Sequence, residues 1–327
     1  MFLLFPFAFL YELAIRLRHF LYDRGWLSCK SYPFPILCVG NLAVGGTGKT
    51  PMVEYLVRLI GESQVAILSR GYRRKTKGFV LADDSSSAHS LGDEPFQYHR
   101  KFPHANVAVC ESRQEGISQL LKTPSFKIIL LDDAFQHRKV KAGMNLLLTS
   151  YQKLYTQDFL LPMGRLRDIR ARATRAQVIL VTKCPPLSNE EKDKIINQLH
   201  PTPLQWVFFT RIAYSQMVYG EGKVMSLAQF ITTPFTLITG IANPTPLVDF
   251  LHEKGAQFSH LAYSDHHHFS DKELKKLSQY PKLLTTEKDY VRFANALPLL
   301  YYLPIETQFL DKEEKEKFDA LILNFCS

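Results

Sequence analysis

The chain has 327 residues, 46% apolar and 22% charged, which supports packed cores in about two domains and excludes a disordered polypeptide. Its net charge of +9 favours an acidic partner: nucleic acid, an anionic membrane or a phosphorylated substrate. The five cysteines, Cys29, Cys38, Cys110, Cys184 and Cys326, are scattered without a C-x-x-C pair, which argues for a reducing compartment and against a disulfide framework or a zinc site.

Residues 1–11, MFLLFPFAFLY, carry no charge, and a helical pattern continues through LAIRLRHFLYDRGW. Glu12, Arg16, His19 and Asp23 form one polar stripe, while Leu10, Leu13, Leu17, Phe20 and Leu21 lie on another face. The apolar run is well short of the ~18 residues that span a bilayer. It also lacks a basic leader and a small-residue cleavage site. Residues 1–24 are expected to form a membrane-interfacial helix with basic residues near anionic headgroups; packing on its own domain is the alternative, and the two are compatible.

The chain is organised around PILCVGNLAVGGTGKTP at 35–51. Ile36-Leu37-Cys38-Val39 reads as a buried parallel strand, followed by a glycine-rich turn and Lys49-Thr50. Glycines let backbone N–H groups wrap a phosphate, and the helix beginning near Thr50 aims its dipole at the same anion. Val44, Gly45, Gly46, Thr47, Gly48, Lys49, Thr50 and Pro51 are therefore the expected nucleotide-binding set. Lys49 reaches the β/γ-phosphates, and Thr50 serves Mg²⁺. Ala43 stands where the strict pattern has glycine.

Val65–Leu68 reads as a second strand, ending in the basic loop SRGYRRK at 69–75. Arg70 and Arg73 in such a loop either meet phosphate or are solvated. Asp93-Glu94 opens a helical stretch after a polar loop; Asp93 is either its cap or a base that takes a hydroxyl proton. Lys127–Leu131 is a strand ending in Asp132-Asp133, the form of a second nucleotide motif whose carboxylates hold the Mg²⁺ shell. Strands at Met144–Leu148 and Gln177–Thr182 flank the basic segment PMGRLRDIRAR. There Asp168 either pairs with arginines or approaches the metal. Pro185 replaces the aspartate of a guanine selector after Thr182-Lys183, so ATP is expected over GTP.

Two strands near 206–219 precede a junction placed at 209–228. The rest holds a strand at Phe235–Gly240, a helix at Thr245–Gly255, the segment DHHHF, a strand leading into TEKD, and an amphipathic helix at Asp311–Phe325. The expected fold is α/β: a phosphate-loop parallel sheet with flanking helices at 25–208, linker strands at 209–228, and a smaller α/β domain at 229–327. Three consecutive histidines cannot converge on one ion from a regular element, leaving surface or catalytic roles for them.

These motifs together resemble the lipid A 4′-kinase (tetraacyldisaccharide 4′-kinase) family: VGNLAVGGTGKTP at 39–51, SRGYRRK at 69–75, GDEP at 92–95, LDDAFQHRK at 131–139, PMGRLRD at 162–168, GIANP at 240–244, DHHHF at 265–269 and TEKD at 286–289. Ala134 and Asp168 stand where the family has glycine and, commonly, glutamate. The resemblance implies an ATP- and Mg²⁺-dependent kinase for the 4′-hydroxyl of a tetraacyldisaccharide 1-phosphate at the cytoplasmic face of the bacterial inner membrane. It implies no nucleic-acid partner, and no protein partner can be inferred. It makes Lys49 and Asp93 catalytic, with His266 tuning Asp93. Thr50, Asp132, Asp133 and Asp168 go to the metal, and Arg70, Arg73, Arg167 and Asn243 to the substrate or nucleotide. A GTPase insertion factor and a nonenzymatic basic adaptor are the competing classes; the first loses support through Pro185, and the second has no use for GGTGKT or LDD.

Overall fold

The computed structural model describes residues 4–265, 267, 269–293 and 296–326. Helix α1 (Phe5–Asp23) leads into β1 (Ile36–Asn41), every residue of which is buried. Then follow α2 (Lys49–Ile60), β2 (Val65–Ser69), β3 (Val80–Leu81), α3 (Ala88–Leu91), α4 (Asp93–Lys101), β4 (Asn106–Val109), α5 (Arg113–Leu120), β5 (Ile128–Asp132), β6 (Met144–Ser150), β7 (Val178–Thr182), α6 (Asn189–Leu199) and β8 (Trp206–Tyr214). A second group comprises β9 (Met217–Gly220), β10 (Lys223–Ser226), α7 (Leu227–Phe230), β11 (Phe235–Thr239), α8 (Thr245–Glu253), β12 (Phe258–Ala262), α9 (Asp271–Leu277), β13 (Leu283–Thr286), α10 (Glu287–Phe293) and β14 (Leu300–Leu303). The chain closes with β15 (Ile305–Phe309) and α11 (Lys312–Cys326).

Among the described residues, nine strands form one sheet in the order β15-β8-β7-β6-β1-β5-β2-β4-β3. Its interior is parallel and its two edges, β15 and β3, are antiparallel. Helices cover both faces, as buried parallel strands require. Alternate residues of β1 serve opposite cores. Leu37 and Val39 pack with Met52 and Leu56 of α2, while Ile36 and Cys38 pack on the side of Ile117 and Phe135. Six strands make the second sheet, β10-β9-β14-β13-β11-β12, with smaller cores on its two faces. The α/β class expected from the alternating pattern is borne out.

The expected domain limits need correction. β8 carries the large sheet through Tyr214, and the chain returns to that sheet after β14. β15 pairs antiparallel with β8, Ile305 opposite Tyr214. α11 buries Phe318 and Ile322 in the same core as α2. Residues 305–326 therefore belong with the large sheet and not with a domain running from 229 to 327. The strip 298–309 carries no clean alternation, because β14 and β15 are partly covered on both sides.

Candidate active site

The loops that follow β1, β2, β5 and β7 meet at the carboxyl edge of the large sheet, where sheets of this type bind ligands. β1 runs directly into the glycine turn. Gly45 (φ +104°) and Gly48 (φ +84°) both take backbone conformations that favour glycine, and Gly48 is the N-cap of α2. The turn is pinned from beneath. Asn41 Nδ2 donates to Thr47 Oγ1 (2.8 Å), and Thr182 Oγ1 donates to the Thr47 carbonyl (2.8 Å). Lys49 and Thr50 begin α2, so their N–H groups lie at the unpaired, electropositive end of the helix.

Three members of the expected nucleotide set offer no free N–H to a phosphate. Val44 donates its own to the Arg165 carbonyl (2.7 Å), Thr47 donates its own to the Gly45 carbonyl (3.1 Å), and Pro51 has none. Their contribution is the shape of the loop. The Val44 bond is half of a short bridge with the GRLRD segment, completed by Arg167 N donating to Leu42 O (2.7 Å). This bridge explains why Arg167 reaches the site. Its guanidinium donates to both oxygens of Asp133 (2.7 and 3.1 Å) and to Asn41 Oδ1 (2.5 Å).

The paired aspartates divide in role. Asp132 ends β5 and is buried; Ser69 Oγ donates to its Oδ2 (3.3 Å), while Oδ1 has no hydrogen-bond partner. Burial, with Glu94 and Asp133 adding repulsion, pushes its carboxyl up to about 7. Asp133 has φ +47°, rare for a residue with a side chain. Burial raises its pKa too, but Lys49 (3.6 Å from Oδ1) and Arg167 overcome this and hold it down at about 2. Asp133 is thus an anion already neutralised by protein cations. Asp132, like Asp168, is a buried acid with an unmet oxygen, and an unmet buried acceptor is costly.

Asp168 does not join them. Its side chain is buried and turned towards α1, where His19 Nε2 lies 2.6 Å from Oδ1 and Ile169 N donates to the same oxygen (2.8 Å). One oxygen, Oδ1, is taken by a neighbouring buried histidine and the Ile169 N–H, while Oδ2 is buried without a hydrogen-bond partner. His19 itself belongs to the predicted polar stripe, and that stripe is split, since His19 is buried while Arg16 is exposed. Arg138 donates to the His19 carbonyl (3.1 Å) and to Asp23 (2.7 Å). Tyr11 OH donates to the Arg167 carbonyl (3.0 Å).

Arg70 is exposed at the end of β2, close enough to add its positive charge to that of Arg113 at His137. Burial first, then those cations, pushes His137 down to about 4. Arg73 is exposed, has φ +61° and lies over the Tyr72 ring. Asn243 is exposed, and its Oδ1 accepts from Thr245 N (3.2 Å) at the start of α8. Asp93 opens α4, with its side chain 28% exposed and Oδ2 bonded to Arg292 Nε (3.0 Å). His266 lies outside the described residues. Its neighbour His267 bonds Glu273 (3.0 Å) and meets the Tyr263 ring at a tilt and the Phe269 ring edge-on.

Two cations at the site escape sequence reasoning. Lys183 is in the left-handed region (φ +60°), and its Nζ lies 3.8 Å from where a Gly46 side chain would begin. Its sequence signal is the T-K-C-P segment, whose missing aspartate says nothing of where the lysine points. Arg292 lies 199 residues from its partner Asp93, and no local pattern announces such a contact. On the described residues, no helix is long and apolar enough to cross a membrane. α1 nevertheless leaves Phe5, Phe7, Phe9, Leu10, Leu13, Leu17 and Phe20 exposed along one side.

Comparison with known proteins places the chain in a family. The family model for tetraacyldisaccharide-1-P 4′-kinase matches residues 1–326. The tetraacyldisaccharide 4′-kinase of Flavobacterium johnsoniae is 47% identical, covering 99% of this chain and 96% of its own. That of Bacteroides thetaiotaomicron is 39% identical, over 98% and 92%. A crystal structure of the Aquifex aeolicus protein of this family in complex with ATP is 28% identical and superposes with a TM-score of 0.81, covering 99% of this chain and 98% of that one. The chain belongs to the tetraacyldisaccharide-1-P 4′-kinase family.

Proposed function

We propose that this protein transfers the γ-phosphoryl group of ATP to the 4′-hydroxyl of a tetraacyldisaccharide 1-phosphate, the lipid A precursor of lipopolysaccharide synthesis. The observation that carries the reading is the phosphate loop with Lys49 at the head of α2, 3.6 Å from Asp133, in a chain of this family. Phosphoryl transfer asks the protein mainly for positioning and charge neutralisation. The backbone N–H groups at Gly46, Gly48 and the first turn of α2 cradle the phosphates, and Lys49 neutralises the group in transit. Asp93 takes the proton from the 4′-oxygen as that oxygen bonds to phosphorus and ADP departs, so charge and atoms balance. Arg70 and Arg167 supply positive charge for the nucleotide and the anionic sugar; Arg73 and Asn243 border the path of the substrate.

Mg²⁺ fits the residues present. Thr50 and Asp132 would hold it, the unmet Oδ1 of Asp132 being an available donor at the end of β5, and it would supply charge neutralisation between the phosphates. Asp133, engaged by Lys49 and Arg167, is a second carboxylate within the same turn.

The protein works at the cytoplasmic face of the inner membrane, held there by α1. Seven exposed large apolar side chains on that helix, at about 1.5 kcal/mol each when buried, contribute on the order of 10 kcal/mol at an interface. Exposed Arg16, Arg18 and Arg24 lie where anionic headgroups would be. The test is label transfer from γ-labelled ATP to detergent-dispersed tetraacyldisaccharide 1-phosphate. Wild type labels the lipid and Lys49→Ala does not; nucleotide hydrolysis without lipid labelling overturns the reading.

A further inference from the structure

The contact between Asp93 and Arg292 joins the two sheets' domains. α4, which begins at Asp93, belongs to the large sheet's layer, and α10, which carries Arg292, to the second. The backbone of Asp93 is set by its own domain. Gly92 precedes it at φ +92°, and a side chain there would begin 2.9 Å from the Tyr72 carbonyl, so this turn is pressed against the SRGYRRK loop. The side chain is met from the other domain. Arg292 is only 6% exposed; its Nε donates to Asp93 Oδ2 (3.0 Å), and its Nη1 donates to Asp289 Oδ1 (2.8 Å) and to the Gly240 carbonyl (3.2 Å). Asp289 is fully buried and accepts from Gly240 N (2.9 Å) and Thr286 Oγ1 (2.8 Å). Arg292 is therefore fixed to the carboxyl ends of β11 and β13 before it touches Asp93.

The other end of α4 is tied as well. Lys101 Nζ donates to Glu54 Oε2 of α2 and to Glu287 Oε2 of α10, both at 2.7 Å. α2 begins with Lys49 and α4 with Asp93, so one lysine and one arginine register the two helices that bear the reacting groups against the second domain. A helix tied at both ends cannot rotate about its axis without breaking one of them.

We infer that Arg292 is a positioning residue for phosphoryl transfer: held by Asp289 and Gly240 of the second domain, it fixes the carboxylate of Asp93 for the acceptor hydroxyl. This inference rests on the proposed base role of Asp93. A lysine cannot replace it fully, because one ammonium cannot serve Asp93, Asp289 and the Gly240 carbonyl in the fixed directions of a guanidinium.

The experiment compares wild type, Arg292→Met, Arg292→Lys, Asp93→Asn and the Asp93→Asn/Arg292→Met double variant. Steady-state transfer to detergent-dispersed tetraacyldisaccharide 1-phosphate is measured with MgATP, alongside MgATP affinity by calorimetry and folding by circular dichroism. Arg292→Met is expected to lower kcat by about 10- to 100-fold, part of what a positioned base supplies. KM for lipid and affinity for MgATP stay within about threefold. Guanidinium ion added to Arg292→Met restores part of kcat, and Arg292→Lys retains an intermediate rate. Because Arg292 acts through Asp93, the double variant is no slower than Asp93→Asn alone. An Arg292→Met turnover within twofold of wild type overturns the inference, as do losses that multiply in the double variant. Should Arg292→Met fail to fold, Arg292→Lys decides, a wild-type kcat overturning the inference and a lowered one at unchanged melting temperature supporting it. Asp93→Asn at wild-type turnover sinks the base reading itself; an inactive Asp93→Asn beside an unaffected Arg292→Met sinks this inference alone.

Discussion

His19 and Asp168, 149 residues apart in sequence, share a 2.6 Å hydrogen bond with both side chains buried. Removing one partner leaves the other buried with an unmet group, whereas removing both spares that cost and leaves a packing change and the loss of the Ile169 N–H and Arg138 contacts. His19→Leu is expected to destabilise the protein by about 3 kcal/mol, and His19→Leu/Asp168→Leu to recover most of that loss. Denaturant midpoints of the two variants check this. Equal losses in both would mean that the pair is not what holds α1 to the Arg167 segment.

Asp132→Asn keeps the shape of the β5 terminus and removes the charge of the proposed cation ligand. The expected result is a turnover lower by about 100-fold and a higher Mg²⁺ concentration for half-maximal rate. Asp168→Asn should leave the Mg²⁺ dependence where it was, since its carboxylate faces His19. Titration of transfer rate against Mg²⁺ separates the two carboxylates.

Glu287 gives the fold a pH dependence of definite sign. Burial first, then repulsion from Glu54, raises its carboxyl to about 7 despite Lys101. Unfolded, it titrates near ~4.3, so between about pH 4.3 and 7 the folded state binds more protons. Stability from this group is therefore present at low pH, falls as pH rises through that window, and is flat above it. Glu287→Gln should remove roughly 1–3 kcal/mol of that fall. Melting temperatures at pH 5.5 and 7.5 measure it, the difference between wild type and variant isolating Glu287 from Asp132, which titrates in the same range.

The exposed side of α1 predicts binding to lipid. Phe5→Ser/Phe9→Ser/Leu13→Ser should reduce sedimentation with phosphatidylglycerol vesicles by at least about tenfold and leave the melting temperature near wild type, because none of the three is buried. Unchanged sedimentation would show that another surface meets the bilayer.

Much of this site was legible in the sequence because it is built from short contiguous pieces. The strand, glycine turn and Lys49-Thr50 are adjacent, and so are β5 and its two aspartates. The polar character of Asp168 was equally visible, but its direction was not: which neighbour claims a carboxylate depends on what packs above it, and here that is a histidine from the chain's first helix. Arg292 and Lys183 were hidden for related reasons. One acts through a partner in another domain, and the other through a left-handed turn that places its ammonium beside Gly46. The return of β15 to the large sheet was hidden because an edge strand after a long insertion leaves no periodic mark of its partner.

That return has a consequence for how the molecule is made. The outer face of α2 is completed by β15 and α11: Tyr55 packs on Phe309 and Phe318, and its hydroxyl donates to Asp319 (2.5 Å). During synthesis α2 emerges well before β15 and α11, and its apolar flank stays bare until those two elements follow it. A nascent chain therefore carries a sticky, unfinished nucleotide domain throughout translation of the second sheet, and a chain cut after β14 would resemble that intermediate rather than a smaller enzyme.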